Sequence, residues 1–330
     1  MSSAISTERI PRVAFDRIAV IGAGPVGSIA SAFLARSGKS VFLTDIRSDR
    51  IGAVRERGLS VEGKADHFTV RMAAAEVSKT GLDSFRPDWV FLAVKTHSLK
   101  GLLEEIAGNI ESASKILIMQ NGIDNEEIAA AQFGRENVFR AVINYAGMIR
   151  EPGIVHVSFF NPPNYVGGLV PGSEPAALCL AEVLTAAGLK TLSVPDIKKF
   201  EWIKTILAAA LMPVCAPTGL TMKEALELSE TRALCERILT ESIAVAAKLG
   251  YYFGEGFFSE CLFYLAGADD HKPSSSVDLE AGLPVEYVFQ PIIDLGRKVQ
   301  SPTPCLEALT MIMRALEKRR DGAARPGSHI

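Results

Sequence analysis

Ile18-Ala-Val-Ile-Gly22-Ala-Gly24-Pro-Val-Gly27 sets three glycines in a G-x-G-x-x-G frame at the end of an apolar run. The next apolar run, Ser40-Val-Phe-Leu-Thr44, ends on Asp45. Strand, glycine loop, a helical stretch at Ile29–Leu34, second strand and acid follow in the order of a β-α-β unit that holds a dinucleotide. Gly22 permits the tight turn out of the strand, Gly24 lets backbone approach a pyrophosphate with no Cβ between them, and Gly27 lets the helix press on the sheet. Ala23, Pro25 and Val26 complete the loop, whose free N–H groups at the helix start suit phosphate. A structural turn without a ligand is the alternative for the glycines alone; the flanking strands and the acid argue against it.

Working outward, short β-rich runs alternate with helical stretches from Arg17 to about Leu192, the pattern of a parallel sheet wrapped by helices. Strands are expected at Ile18–Ile21, Val41–Thr44, Trp89–Val94, Ile116–Met119 and Val138–Ile143. Ile154–Phe159 and Tyr165–Val170 are expected as an antiparallel addition at one edge of that sheet. Beyond Val194-Pro195 the texture turns helical. Leu234, Ile238, Ile243 and Ala246 share a face before Gly250, and a final helix starts at Thr303-Pro304 with Leu306, Leu309, Met313 and Leu316 in register. The fold class is therefore α/β, a Rossmann-type dinucleotide-binding domain (17–194) followed by an all-α domain (195–322), with a loose polar tail at 323–330.

The formal net charge is −3, with no long basic run, so nucleic acid is not an expected partner. Five dispersed cysteines without a C-x-x-C pair point to free thiols in a reducing, cytoplasmic compartment. The first sixteen residues lack an apolar signal core, and the longest apolar stretch, Ile206–Ala216, is short for a membrane span and carries Pro213. The remaining expectation is a small-molecule partner. The apolar helical half could cover a homodimer interface, with an intramolecular core as the alternative.

Asp45 would bind both ribose hydroxyls and repel a 2′-phosphate, favouring NAD; Arg47 and Arg50 keep NADP open if Asp45 points away. Lys95, at the end of Phe91-Leu-Ala-Val-Lys95, and Asn121, in Gln120-Asn-Gly122, follow buried strands at the sheet edge where ligands bind, although Asn-Gly is also an ordinary turn pair. Lys204 is the only charge between Glu201 and Lys223, and Glu286 the only one between Glu280 and Asp294. Burial disfavours a charged amine, which suits a proton donor near neutrality; a structural ion pair of the two is the alternative. His97, His156 and His271 do not cluster at ligand spacing, so no metal is expected.

These segments, with Glu151-Pro-Gly153, Trp202-Ile-Lys204 and Ser274-x-x-x-Asp278-x-x-x-Gly282-x-x-x-Glu286, resemble the ketopantoate reductase (2-dehydropantoate 2-reductase) family over nearly the whole chain. Members reduce a 2-oxo acid, ketopantoate of pantothenate biosynthesis, with a nicotinamide cofactor, usually NADPH. The resemblance implies that Lys204 is the acid/base and Glu286 its substrate-facing partner. It places Lys95 and Asn121 along the cofactor and substrate, Ser274 at the substrate carboxylate, and Asp278 and Gly282 in the shaping of that loop. Family members carry asparagines four and eight residues after the lysine, where this chain has Ala208 and Met212. Losing groups that hydrogen-bond a substrate changes discrimination by orders of magnitude, so the hydride chemistry is implied and a different, more apolar oxo acid is expected. An opine-type imine reductase and a nicotinamide-binding regulator without turnover are the competing functions.

Overall fold

Ile18 and Val20 face one hydrophobic core while Ala19 and Ile21 face another, all fully buried, so a continuous apolar run becomes a strand covered on both faces. The computed structural model describes residues 15–77, 79–267 and 270–323. Its strands are β1 (Arg17–Ile21), β2 (Ser40–Asp45), β3 (Leu59–Gly63), β4 (Phe68–Val70), β5 (Ala73–Glu76), β6 (Trp89–Leu92), β7 (Lys115–Ile118), β8 (Val138–Val142), β9 (Tyr145–Glu151), β10 (Ile154–Phe160), β11 (Asn164–Gly168) and β12 (Thr191–Ser193).

Eight strands form one sheet in the order β12-β11-β8-β7-β6-β1-β2-β5. From β5 to β8 every pairing is parallel, and the chain order reverses between β1 and β6. That is the doubly wound arrangement, whose ligands bind beyond the strand ends at the reversal. Only β11 runs antiparallel to its neighbour β8. The expected antiparallel edge is thus half right, because β10 belongs elsewhere. With β9, β3 and β4 it makes a second, four-stranded sheet, and Gly153 at φ 84° turns β9 into β10. This sheet packs on the helix Pro25–Arg36: Phe33 meets Phe68 edge-on at 5.3 Å, and the Arg36 guanidinium lies 3.9 Å from the centre of the Phe68 ring.

The chain folds as two units. One holds the described residues up to Gln120 together with Asn125–Ile197; the other holds Asn121–Asp124 and everything described from Lys198 onward. The second unit is helical. Its centre is the helix Ile197–Thr218, with Trp202, Ile206, Ala209, Ala210 and Cys215 almost wholly buried against Ile238, Leu239, Phe289, Ile292, Leu306 and Met313. The helix runs straight through Pro213 and Pro217. An internal proline costs about 3 kcal/mol. Burying Val214, Cys215 and Ala216 just beyond it offsets that at roughly 1.5–3 kcal/mol for a side chain of valine size, and the Thr218 hydroxyl caps the Val214 carbonyl at 2.7 Å. The stretch Ile206–Ala216 is therefore part of a 22-residue helix, long and apolar enough by length and composition to cross a membrane, with 67% of its most apolar window buried inside the fold.

The final helix, Pro304–Ala323, begins where Thr303-Pro304 predicts and buries Leu306 and Met313. Its first free N–H groups, those of Cys305 and Leu306, donate to the two oxygens of Glu241 at 2.9 and 3.1 Å. Of the expected loose tail, Ala323 ends this helix and the rest lies outside the described residues.

Candidate active site

In the first unit the glycine loop lies at the sheet reversal, where β1 ends at Ile21 and β6 at Leu92. Gly22 has φ 112°, and a Cβ on it would stand 2.8 Å from the Ala93 carbonyl; a Cβ on Gly27 would stand 2.0 Å from the Gly22 oxygen. Both positions exclude any other residue. Gly24 differs: a Cβ there would meet nothing within 4 Å, so the space in front of it is open. Gly24 caps the helix Pro25–Arg36 with no side chain on its first N–H groups, and Pro25 has none to offer. Open space beside unclaimed N–H groups at a helix start is a seat for an anion, and the loop residues Gly22, Ala23, Gly24, Pro25, Val26 and Gly27 fit a pyrophosphate.

Asp45 stands at the end of β2, 8% exposed, with Oδ2 accepting from the Ala23 N–H at 2.5 Å and Oδ1 from the Arg47 N–H at 2.9 Å. The acid points at the loop. Arg47 turns instead to Asp49 in a two-pronged pair at 2.9 and 2.8 Å, and Arg50 reaches the Ala23 carbonyl at 3.3 Å. The Arg47 hydrogen bond holds the Asp49 carboxyl below its ordinary value. Lys95 is exposed at the start of the helix Thr96–Ile106, three residues past β6.

The remaining predicted residues all belong to the second unit, including Asn121, which clusters with it although it directly follows Gln120 beyond β7. Gly122 turns the backbone at φ 97°, Ile123 is buried in the helical core, and Asp124 pairs with Lys198 at 2.6 Å, which also holds the buried Glu201 at 2.7 Å. Asn-Gly is thus a real turn, and it delivers Asn121 half-buried.

Along the helix Ile197–Thr218, a partly open stripe runs through Phe200, Ile203, Lys204, Leu207 and Ala208, spaced 3, 1, 3 and 1, while Thr205, Ile206, Ala209 and Ala210 are buried. Lys204 is the one charge on that stripe. Ala208 follows one turn later, and Met212, 6% exposed, two turns later. Ser274 is exposed at the start of the short helix Ser274–Glu280; its neighbours Ser275 and Ser276 are buried, and Ser275 Oγ donates to the Met212 carbonyl at 3.4 Å. Asp278 is half-buried, its carbonyl accepting from the Leu283 N–H at 2.8 Å, and Gly282 takes φ 73° in the turn between them. Glu286 is half-buried between Val285 and Tyr287, and Val285, Val288 and Phe289 share the hydrophobic core of Trp202 and Ile206.

Sequence reasoning missed two contributors: Ser275, hidden in a run of three serines, and Glu317 of the last helix, which accepts from the Val285 N–H at 2.8 Å and from the Tyr287 hydroxyl. Glu317 lies 31 positions from Glu286, so no local pattern connects them.

Two family models cover most of the chain: "Ketopantoate reductase PanE/ApbA" matches residues 18–169, and "Ketopantoate reductase PanE/ApbA C terminal" matches residues 196–317. A 2-dehydropantoate 2-reductase of Mesorhizobium japonicum is 29% identical, with 92% of this chain and 98% of that protein covered. The crystal structure of 2-dehydropantoate 2-reductase from Geobacter metallireducens superimposes with a TM-score of 0.83 at 26% identity, over 91% of this chain and 99% of that one. A ternary structure of D-mandelate dehydrogenase with NADH and anilino(oxo)acetate shares the fold, with a TM-score of 0.84 at 23% identity over 92% and 99% of the two chains. With both halves matched, the chain belongs to the ketopantoate reductase family of NAD(P)-dependent oxidoreductases.

Proposed function

We propose that the protein reduces a 2-oxo acid to its 2-hydroxy acid with Lys204 as the proton donor, and that this oxo acid is more apolar than ketopantoate. The observation carrying the proposal is the partly open stripe of the central helix, where Lys204 is the only charge, followed at Ala208 and at the buried Met212 by side chains that offer no hydrogen bond to a substrate. The cofactor is held by Gly22–Gly27, Asp45 and Lys95 of residues 17–194, and the substrate by Asn121 together with Lys204, Ala208, Met212, Ser274, Asp278 and Glu286. A reduced nicotinamide dinucleotide, held by its pyrophosphate in that loop, would supply hydride to the carbonyl carbon. As the carbonyl oxygen gains charge, the Lys204 ammonium gives it a proton and is left as the neutral amine; in the reverse direction the amine takes the proton back. Glu286 supplies the negative charge that orients the ammonium and substrate. Ser274 binds the carboxylate.

The Asp45 geometry supports NADH over NADPH. Its carboxylate is aimed at the loop, the Arg47 guanidinium is engaged by Asp49, and that of Arg50 donates to the Ala23 carbonyl. D-mandelate dehydrogenase, a neighbour of the same fold, was solved with NADH and anilino(oxo)acetate.

The test is steady-state reduction of ketopantoate, 2-oxoisovalerate and phenylglyoxylate with NADH and NADPH, with and without an added amine. Lys204→Ala is expected to lower kcat by about 10²–10⁴-fold while leaving the NADH Kd unchanged. Equal loss of cofactor binding would make Lys204 structural, and turnover that requires the amine would make the enzyme an imine reductase.

A further inference from the structure

Residues 281–289, which carry Glu286, form neither helix nor strand, so their position is set by what grips them from outside. Val285, Val288 and Phe289 are anchored in the helical core, and the polar grip comes from one face of the last helix. Glu317 accepts from the Val285 backbone N–H with Oε1 at 2.8 Å and from the Tyr287 phenol with Oε2, seizing the residue on each side of Glu286. Arg320, three positions on, donates to the carbonyls of Leu279 and Leu283 at 3.4 and 3.2 Å. Arg314, three positions back, donates to Gln290 at 2.7 Å, and its guanidinium lies 5.3 Å from the centre of the Tyr287 ring. Burial and then the Glu317 hydrogen bond raise the Tyr287 hydroxyl above its ordinary value, so it stays protonated and able to donate. The spacing 314, 317, 320 places the three gripping side chains on adjoining turns of one helix.

We propose that Glu317 is a positioning residue that sets Glu286 for the reaction. Both oxygens of one carboxylate fix the backbone before Glu286 and the side chain after it, so the reach of Glu286 depends on a group that touches neither substrate nor cofactor. The proposal rests on Glu286 being the substrate-facing carboxylate.

The experiment is a double-mutant cycle in the full-length protein, with NADH and whichever of the three oxo acids is turned over best. Glu286→Gln alone is read first, and a loss of about a hundredfold or more in kcat/KM is expected. Glu317→Ala should cost between about tenfold and a hundredfold, chiefly in the KM for the oxo acid, with the NADH Kd unchanged. Placed on Glu286→Gln, it should add less than about twofold, because the group it positions is already gone. Glu317→Gln keeps an acceptor for the Val285 N–H and should recover part of the loss. Where Glu317→Ala fails to fold, Tyr287→Phe, which removes only the phenol bond, carries the same comparison. A Glu317 variant with unchanged kcat/KM beside an impaired Glu286→Gln overturns the positioning role and spares the function of Glu286. So does an equal loss in both backgrounds, which marks a general structural effect. An unimpaired Glu286→Gln overturns the underlying assignment and the positioning role with it.

Discussion

Three alanine substitutions in the glycine loop separate a fold requirement from a ligand requirement. At Gly27 the new methyl would stand 2.0 Å from the Gly22 carbonyl oxygen, and ordinary contact begins at 3.4 Å, so helix and turn must part by roughly 1.4 Å or more. Overpacking of this kind costs about 1–3 kcal/mol. At about 2–4 °C per kcal/mol for a unit of this size, Gly27→Ala is expected to lower Tm by up to about 6–12 °C. Gly22→Ala meets the Ala93 carbonyl at 2.8 Å and must adopt φ 112°, a conformation costing about 1–3 kcal/mol by itself, so its loss is at least as large. Gly24 sits at φ −74° with nothing within 4 Å of its absent Cβ. Alanine there stiffens the unfolded chain by about 0.4–1 kcal/mol in favour of folding and weakens the cap by a similar amount, leaving Tm within about 2 °C. It nevertheless fills the space in front of the N–H groups, and the NADH Kd should rise by about tenfold or more, equivalent to about 1.4 kcal/mol. Thermal unfolding of the three variants and titration of NADH into Gly24→Ala measure both. Wild-type NADH affinity in Gly24→Ala would refute the seat assigned to the pyrophosphate, and a wild-type Tm in Gly27→Ala would refute the close approach of helix and turn.

Asp45→Ser should raise kcat/KM with NADPH relative to NADH by about tenfold or more, because the carboxylate that repels a 2′-phosphate is removed; an unchanged ratio would show that Asp45 does not choose the cofactor. Glu241→Ala removes acceptors from the N–H groups of Cys305 and Leu306 and should cost about 0.5–2 kcal/mol in denaturant unfolding, with cofactor binding untouched. Burial pushes the thiols of Cys215, Cys235 and Cys261 up to about 12 each, above an ordinary thiol value of about 8.5. The unfolded chain then gives up these protons first, so their stabilising contribution is complete below about pH 8.5 and is lost as the pH climbs towards 12. The denaturation midpoint should fall steadily over that range, and a midpoint flat up to pH 11 would contradict it. At neutral pH a thiol reagent should modify at most Cys179 and Cys305 in the native protein, the two cysteines that are not buried.

What could be read from the sequence were features whose cause is local. The glycine frame, the acid after β2, the Thr303-Pro304 start and the stop at Gly250 each follow from backbone geometry within a few residues. The second sheet could not be read that way. β3, Leu59-Ser-Val-Glu-Gly63, alternates over only four residues, β4 is only Phe68-Thr-Val70, and β5 of the main sheet, Ala73-Ala-Ala-Glu76, holds no β-former at all. Their pairing is decided by distant partners: β10 for β3, β2 for β5. Ile154–Phe159 reads correctly as a strand, found as β10 (Ile154–Phe160), but joins the second sheet and not the expected edge, since nothing in its own residues says which edge it will join.

The site divides along the same line. Lys204 and Glu286 announce themselves because a solitary charge in an apolar run is a local anomaly, and both are half-buried. The groups that brace the surrounding segments are ordinary where they stand. Glu317 is one acid in a charged helix, Ser275 one serine of three, and Glu241 one exposed-looking acid on an amphipathic helix; each acquires its role only through partners 30 to 65 positions away. The proposed chemistry therefore falls on residues that break their local pattern, and its proposed positioning on residues that obey theirs. A substitution chosen from sequence alone would strike the first kind and leave the second untested, although the second decides whether a correctly chosen carboxylate or ammonium reaches its substrate.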